Sequence, residues 1–490
     1  MSQAAPARPV TNFGRNVSFT PKEVYQPATE AELLQILADN RGRRFRVIGR
    51  LHSWSEAPVA EDILVDLRRL NQVTVHPNGD LPYAEIGAGC QIKRALEELN
   101  RKGYTLCSLG LISEQAIAGA VSTSTHGSGR PSTSHFVKAT RIAHFDGEQG
   151  PPTITTISAG DELRAARCAL GCLGIVTSVQ VAIRKQYHIE EHFRRYATLE
   201  DVLAKESEYS LQQFFLIPWR WDFFAQHRRE TISLRSSFAW LYRLYWSLGM
   251  DIGLHLAVWP LAKLLPSFCT KIFYRYLVPF TVPRGWKVVD RSDHQLIMEH
   301  ELFRHIEIEL FVVRSKLKDA LNFVVWFLRI MGGEFLDPPT SLRNPAPEIV
   351  ELQKSLLHLR GAYIHHYPIC IRRVQPDDAL ISMSSSLTED CFAISLISYA
   401  WPSKREGFFA MSELLTSFMV KLFGARAHWG KHCPEGHASM PALYPRWSDF
   451  ATIRNRLDPS GAFSNDWARR LFDAGDEKSS SKSRADSGDH

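Results

Sequence analysis

Apolar positions recur at helical spacing in two early stretches. Across residues 29–42, Leu33, Ile36 and Leu37 share one face, Thr29 and Glu32 form a capping-box pattern, and Gly42 follows the end, which predicts a capped helix. Across residues 91–102, Ile92, Ala95, Leu96 and Leu99 repeat the pattern, with Gly103 in the C-cap place. Short apolar or β-branched runs at 45–49, 63–67, 73–75 and 83–87 predict strands. In 175–184, Val179, Val181 and Ile183 alternate with Ser178, Gln180 and Ala182, the mark of a half-buried strand. Strands alternating with helices predict an α+β domain that closes near residue 186. No long linker follows, so a second domain is expected to pack directly against the first.

The second half holds strand-like runs at 305–313, 368–374 and 391–399. In the first of these, HIEIELFVV, Ile306, Ile308 and Leu310 alternate with Glu307, Glu309 and Phe311. As a strand it places both carboxylates on one face, roughly 6.5–7 Å apart. Taken alone, a solvated face is the commoner meaning of that pattern; a cofactor nearby would reverse it. Residues 240–278 are aromatic and apolar, yet Arg243, Asp251, His255, Lys263, Lys271 and Arg275 interrupt them, and Pro260 and Pro266 break them. A membrane span needs about twenty largely uncharged residues. The stretch is therefore either a set of helices covering the second domain or an interfacial membrane patch. Residues 455–472 combine a Leu-Asp-Pro-Ser-Gly turn with a short helix, and 473–490 read as a disordered polar tail.

Composition narrows the class. With 490 residues, 44% hydrophobic and 22% charged, the chain has ample core for two domains. The formal net charge is +6, but 58 basic residues are spread among 52 acidic ones, which argues for a soluble surface and against a nucleic-acid footprint. The eight cysteines include no CxxC pair, and the first residues lack a charged-then-apolar signal, so a reducing, cytoplasmic setting is expected. Cys168 and Cys172 are one helical turn apart and read as core packing. No metal site is expected.

Candidate chemistry lies in three places. Residues 49–55, GRLHSWS, and 116–129, AIAGAVSTSTHGSG, are poor in bulky side chains where a phosphate-bearing cofactor needs close backbone approach. The second lacks the Lys of a P-loop and the GxGxxG spacing of a dinucleotide helix; a plain Gly/Ser loop is the alternative. Residues 428–431, HWGK, bounded by Pro434 and Gly436, form a polar-aromatic cluster that alone would be an ordinary turn.

Together VIGRLHSWS at 47–55, IAGAVSTSTHGSG at 117–129 and HWGK at 428–431 resemble the FAD-linked oxidases of the vanillyl-alcohol oxidase superfamily, in the aldonolactone oxidase group with its alditol-oxidase relatives. The match runs from about residue 21 to 471. The resemblance implies an α+β fold: a two-subdomain PCMH-type FAD-binding domain and an α+β substrate or cap domain with an antiparallel sheet. The expected divisions are an arm at 1–18, the FAD domain at 19–186, the cap at 187–425 with its hydrophobic helical region 240–278, a segment at 426–472 returning to the flavin, and the tail.

His52 matches the histidine that relatives join covalently to the flavin 8α-methyl. Arg50, Leu51, Ser53 and Trp54, with Gly119, Ser122, Thr123, Thr125, His126 and Gly127, match the segments that hold the pyrophosphate, and Ile175 is expected near the adenine. The pattern departs at Arg50 and Leu51, where many relatives have glycine. Glu309 and Arg372 match residues of the substrate face, but Phe311 stands where alditol oxidases have an arginine. The implied reaction removes hydride from a CH–OH carbon. Glu309 or His428 is the base, its pKa expected to be tuned towards working pH, and Lys431 or Arg372 is the stabilising cation. The implied substrate is a sugar-derived lactone, such as D-arabinono- or L-gulono-1,4-lactone, or a polyol, with oxygen or another acceptor. Two other readings stand beside it: a membrane-associated dehydrogenase of a lipid-linked sugar or sterol feeding a quinone, and an inactive flavin-binding interaction module.

Overall fold

The computed structural model describes residues 8–79, 81–264, 267–282, 284–297, 304–339, 342, 345–399, 405–434 and 439–473. Pro266, Gly436 and the tail beyond Asp473 lie outside the described residues.

The early periodicities become the predicted elements. Helix Glu30–Asp39 starts at Thr29, whose hydroxyl accepts from the Glu32 amide while the Glu32 carboxylate accepts from the Ala28 amide. Leu33, Ile36 and Leu37 are its buried face. Helix Ile92–Arg101 buries Ile92, Ala95, Leu96 and Leu99. Three parallel strands form one small sheet in the order Glu23–Tyr25, Ile63–Asp66, Phe45–Ile48. A second, antiparallel sheet runs Pro152–Ile157, Val137–Phe145, Ile175–Lys185, Tyr83–Gly87, Val73–His76, with Tyr104–Leu106 also on the 175–185 strand. These two sheets make the two subdomains of the first half. Residues 117–122, expected as loop, are instead the short helix Ile117–Ser122. Ile117, Ala118, Ala120 and Val121 bury against the sheet, and apolar burial outweighs the flexibility of the sequence.

The second half is built on an eight-stranded antiparallel sheet, ordered Val288–Arg291, His188–Tyr196, Phe223–Thr231, Gln213–Leu216, Ile369–Val374, Cys391–Tyr399, His305–Val313, Arg426–Ala427. Strand alternation divides its faces. One carries Phe214, Leu216, Ile306, Ile308, Leu310, Ile371, Phe392 and Ile394 and packs on helices Leu317–Met331 and Glu406–Phe423 in one apolar core. The other carries Glu307 and Glu309, which are 4% and 1% exposed. The solvated-face reading of HIEIELFVV is thus overturned, because neighbouring strands and the first half of the chain cover the carboxylate side.

The chain then returns. Met440, Tyr444, Trp447, Phe450, Trp467 and Phe472 join the core of the first half. Asp473, assigned by sequence to the tail, ion-pairs with Arg454 at 2.9 Å. The stretch 240–278 falls within helices and π-helical turns from Ala239 to Thr281, beside the sheet's open face. Among the described residues, no helix is long and apolar enough to cross a membrane.

Candidate active site

Strand Phe45–Ile48 delivers the 49–55 loop to the junction of the two halves. Gly49 is required there, because a Cβ would come within 2.3 Å of the Ala116 Cβ, where the two cradle segments touch. Leu51 adopts φ of 55°, the left-handed conformation that glycine takes without strain. The departure from a glycine-rich loop therefore keeps the backbone path and stores strain of about 1–2 kcal/mol.

The arm at the N-terminus holds that path. The Phe13 amide donates to the Leu51 carbonyl at 2.8 Å, and the Asn12 and Asn16 side-chain amides donate to the Ser53 and Trp54 carbonyls at 2.8 Å. The Trp54 amide donates to Gly430 at 2.8 Å and its indole to the His305 carbonyl at 2.6 Å. With the loop's carbonyls drawn outwards, the amides of Arg50, Leu51, His52 and Ser53 have no hydrogen bond among the described residues. Adjacent unsatisfied N–H groups facing a cavity make an anion-binding nest. His52 stacks on Phe13 at 4.8 Å, and its buried Nδ1 has no hydrogen-bond partner among the described residues. Burial pushes its imidazole down to about 4, so it is neutral. A free nest, an open side at Gly119 and an unpartnered imidazole nitrogen on one wall fit a flavin dinucleotide.

That wall belongs to a cavity of about 760 Å³. Arg50, Leu51, His52, Ser53, Trp54, Gly119, Ser122, Thr123, Thr125 and His126 line it, and so do Glu309, Arg372, His428 and Lys431. Two expected residues do not. Ile175 is fully buried in the core; strand alternation turns it inwards, while Gly174 and Val176 on either side reach the cavity. Gly127 lies against the Leu109 carbonyl, and its own carbonyl receives the His126 Nδ1 at 3.0 Å.

Two buried ion pairs stand on the open sheet face. Arg372 donates to Glu309 Oε1 at 2.6 Å, and the Ser395 hydroxyl donates to the same oxygen at 2.6 Å. Glu309 Oε2 is left with longer contacts, 3.4 Å to His126 Nε2 and 4.0 Å to His428 Nε2. Burial alone would raise this carboxyl, but the Arg372 charge and then His126 outweigh it and hold Glu309 well below the ordinary carboxylate range. The expectation that its pKa is tuned towards working pH fails, because that expectation omitted the arginine two strands away.

Lys431 pairs with Glu307, and its ammonium lies 4.2 Å from the Trp54 ring. Burial opposes ionisation of Glu307, yet Lys431 and then His305 take it down to about 2. So each candidate cation is matched to its own carboxylate. His428 Nδ1 accepts the Gly430 amide at 2.9 Å, and burial pushes this imidazole down to about 3. The ring is therefore neutral with its proton on Nε2, facing Glu309, and acts as a donor, which removes it as the base. His126, Glu309 and His428 bring their donor atoms within 4.8 Å of one another, but Arg372 already neutralises the carboxylate, which disfavours a cation there.

Sequence reasoning missed Phe13, Asn12, Asn16 and Ser395. The arm is remote in sequence and carries no motif, and Ser395 is one of two serines within an otherwise apolar strand. It missed, too, the polar row across the sheet: Arg228 on Glu191 at 2.5 Å, Tyr242 on Glu191 at 2.5 Å, and Gln213 on Gln226 at 2.6 Å.

Comparison with known proteins agrees with this geometry. Residues 21–149 match the family model described as FAD binding domain, and residues 261–471 the one described as D-arabinono-1,4-lactone oxidase. The chain is 49% identical over 465 residues to a long-chain alcohol oxidase of an uncultured marine euryarchaeote, covering 94% of this chain and 97% of that one. It is 27% identical over 498 residues to L-gulonolactone oxidase of Scyliorhinus torazame, covering 96% of this chain and all of that one. The fold is similar to cholesterol oxidase from B. sterolicum, with a TM-score of 0.72 at 15% identity over 96% and 97% of the two chains. The chain belongs to the FAD-linked oxidases of the vanillyl-alcohol oxidase superfamily, in the aldonolactone oxidase group, and is an FAD-dependent oxidoreductase acting on CH–OH donors.

Proposed function

We propose that the protein oxidises the carbinol of a long, apolar alcohol. One observation carries this reading: beyond Glu309 the cavity continues along an apolar wall that includes Phe193, Phe215, Phe224, Trp246 and Val278. Several polar groups of that corridor are bonded to one another, as Arg228 and Tyr242 are to Glu191 and Gln213 is to Gln226, while Gln295 Nε2, Arg372 Nε and the Trp246 indole nitrogen have no partner among the described residues. A sugar lactone would set several hydroxyls against the aromatic wall with only those three donors to meet them, and an unpaired buried polar group costs about 1–3 kcal/mol. The 49%-identical relative's name, long-chain alcohol oxidase, supports the same class. The description of the 261–471 match supports the second reading, an aldonolactone such as D-arabinono- or L-gulono-1,4-lactone, or a polyol.

The 49–55 and 117–126 segments would hold FAD, which would supply the hydride acceptor when bound. Nδ1 of His52, neutral and unpartnered, is the atom available for a covalent link to it. Glu309 Oε2 receives the substrate hydroxyl, since Arg372 and Ser395 occupy Oε1 and fix the carboxylate's orientation. The neutral His428 donates from Nε2 towards the same place and positions the oxygen. Glu309 takes the hydroxyl proton as hydride leaves, with His126 beside it to share that proton. Lys431 sets its side-chain nitrogen 4.2 Å from the Trp54 ring, beside the loop that would hold the cofactor. Oxygen is the electron acceptor under this reading, and a quinone is the alternative.

The test is a panel of primary alcohols of increasing chain length, with D-arabinono- and L-gulono-1,4-lactone and xylitol alongside, each assayed with oxygen and with a soluble quinone. kcat/KM should climb with chain length and exceed that of every lactone. A flat profile with faster lactone turnover would reverse the order of the two readings.

A further inference from the structure

The helices between Ala239 and Thr281 are apolar on both sides. Their inner side chains, Tyr242, Trp246 and Val278, line the cavity. Outwards, twelve of the eighteen exposed large hydrophobic side chains among the described residues fall between Phe238 and Phe280, with Leu256 at 71% and Phe280 at 80% exposure. A helix apolar all round is ordinarily buried, and exposed apolar patches of this kind mark interaction sites.

Charge identifies the occupant. Residues 235–287 contain seven basic residues against Asp251 alone, but Arg235 and Arg243 pair with Asp290, Lys271 with Glu334 and Lys287 with Glu190, so the charge this face offers a partner rests on the exposed Arg275 and Arg284. A second copy would present the same positive face and repel it. An anionic lipid surface satisfies both features, with about 1 kcal/mol for each basic residue near the surface and apolar side chains entering the acyl boundary. Proline at 260 and the π-helical turns Trp246–Gly253 and Phe273–Leu277 break the segment into short pieces suited to lying on a bilayer.

We propose that residues 238–282 dock the protein on an anionic membrane surface and that substrate passes from the lipid, between these helices, into the cavity. The docking rests on the surface itself, and the entry route rests on the apolar-alcohol reading.

The experiment is flotation of the purified holoprotein with vesicles of phosphatidylcholine alone or with added phosphatidylglycerol. The wild type should float with the anionic vesicles and be released by high salt. The variant L256E/F268E/F280E should lose vesicle binding by about tenfold or more while retaining its yellow colour and its turnover of a short, water-soluble alcohol. Should that variant lose its flavin, R275E/R284E supplies the same comparison through charge alone. A wild type that stays in the soluble fraction with anionic vesicles overturns docking, as do variants that float undiminished. So does a wild-type dimer that the triple variant converts to monomer without any vesicle binding, because the face would then be a self-interface. Flotation needs no turnover, so loss of docking and loss of the substrate reading are separate results. Docking with a preference for sugar lactones would remove the entry route alone.

Discussion

Replacing Glu309 by glutamine tests the centre of the mechanism, since it removes one charge and almost no volume. The amide oxygen can still accept from Arg372 and Ser395, which hold Oε1 at 2.6 Å each, so orientation survives while the ability to take a proton is lost. A positioned proton acceptor contributes about 10²–10⁴ in rate, or roughly 3–5.5 kcal/mol of barrier. The variant also strands the Arg372 charge in a pair whose side chains are 8% and 1% exposed. Breaking such a pair costs about 3–5 kcal/mol of stability. The double variant E309Q/R372M removes the stranded charge and should recover part of that stability without recovering turnover. The assay is anaerobic stopped-flow bleaching of the flavin by a long-chain alcohol, normalised to flavin bound. Both variants should bleach about 10²–10⁴ times more slowly at nearly unchanged flavin content, because among the described residues Glu309 bonds to no atom of the 49–55 loop and meets the 117–126 segment only in the long 3.4 Å contact to His126. Bleaching by E309Q within about threefold of wild type, well below the contribution expected of a positioned base, refutes the role. A loss that only tracks flavin content refutes it equally.

Three further outcomes are expected. Acid precipitation should leave yellow in the wild-type pellet and release it to the supernatant in His52→Ala; release from wild type would mean that His52 forms no bond. Lys431→Met should destabilise the fold by about 3 kcal/mol at neutral pH, since Glu307 lies at about 2 against an ordinary 4.5. A depressed carboxyl contributes stability above its unfolded pKa and loses it as pH falls through the folded value. The deficit should therefore shrink as pH drops from about 4.5 towards 2, and thermal melts showing a deficit independent of pH would contradict the pairing. Leu51→Gly should stay within about 1 kcal/mol of wild type, because relieved left-handed strain and added unfolded-state entropy oppose one another. Leu51→Val should be clearly worse in stability and flavin retention, and equal melts for the two would show that the loop is unstrained.

Period and punctuation determined a good deal here. Thr29 with Glu32 fixed a helix start, the alternation in 175–184 fixed a strand, and 49–55 with 428–431 marked two of the site's walls, because each signal is written in residues a few positions apart. The strand carrying Glu307 and Glu309, and the fact that both carboxylates share a face, were equally legible. What that face meets was not. Arg372 reaches Glu309 only because the Ile369–Val374 and Cys391–Tyr399 strands pair in one register, and that register turned an expected base of raised pKa into a strongly ionised carboxylate. The same holds for the arm at Asn12, Phe13 and Asn16, which shapes a loop some forty residues away. Ile175 and Val176 show the rule at its smallest: sequence located the segment, but the sheet decided which of two neighbours faces the cavity. Local propensity is decided by neighbours along the chain, whereas charge, protonation and access are decided by groups that only folding brings within a few ångströms.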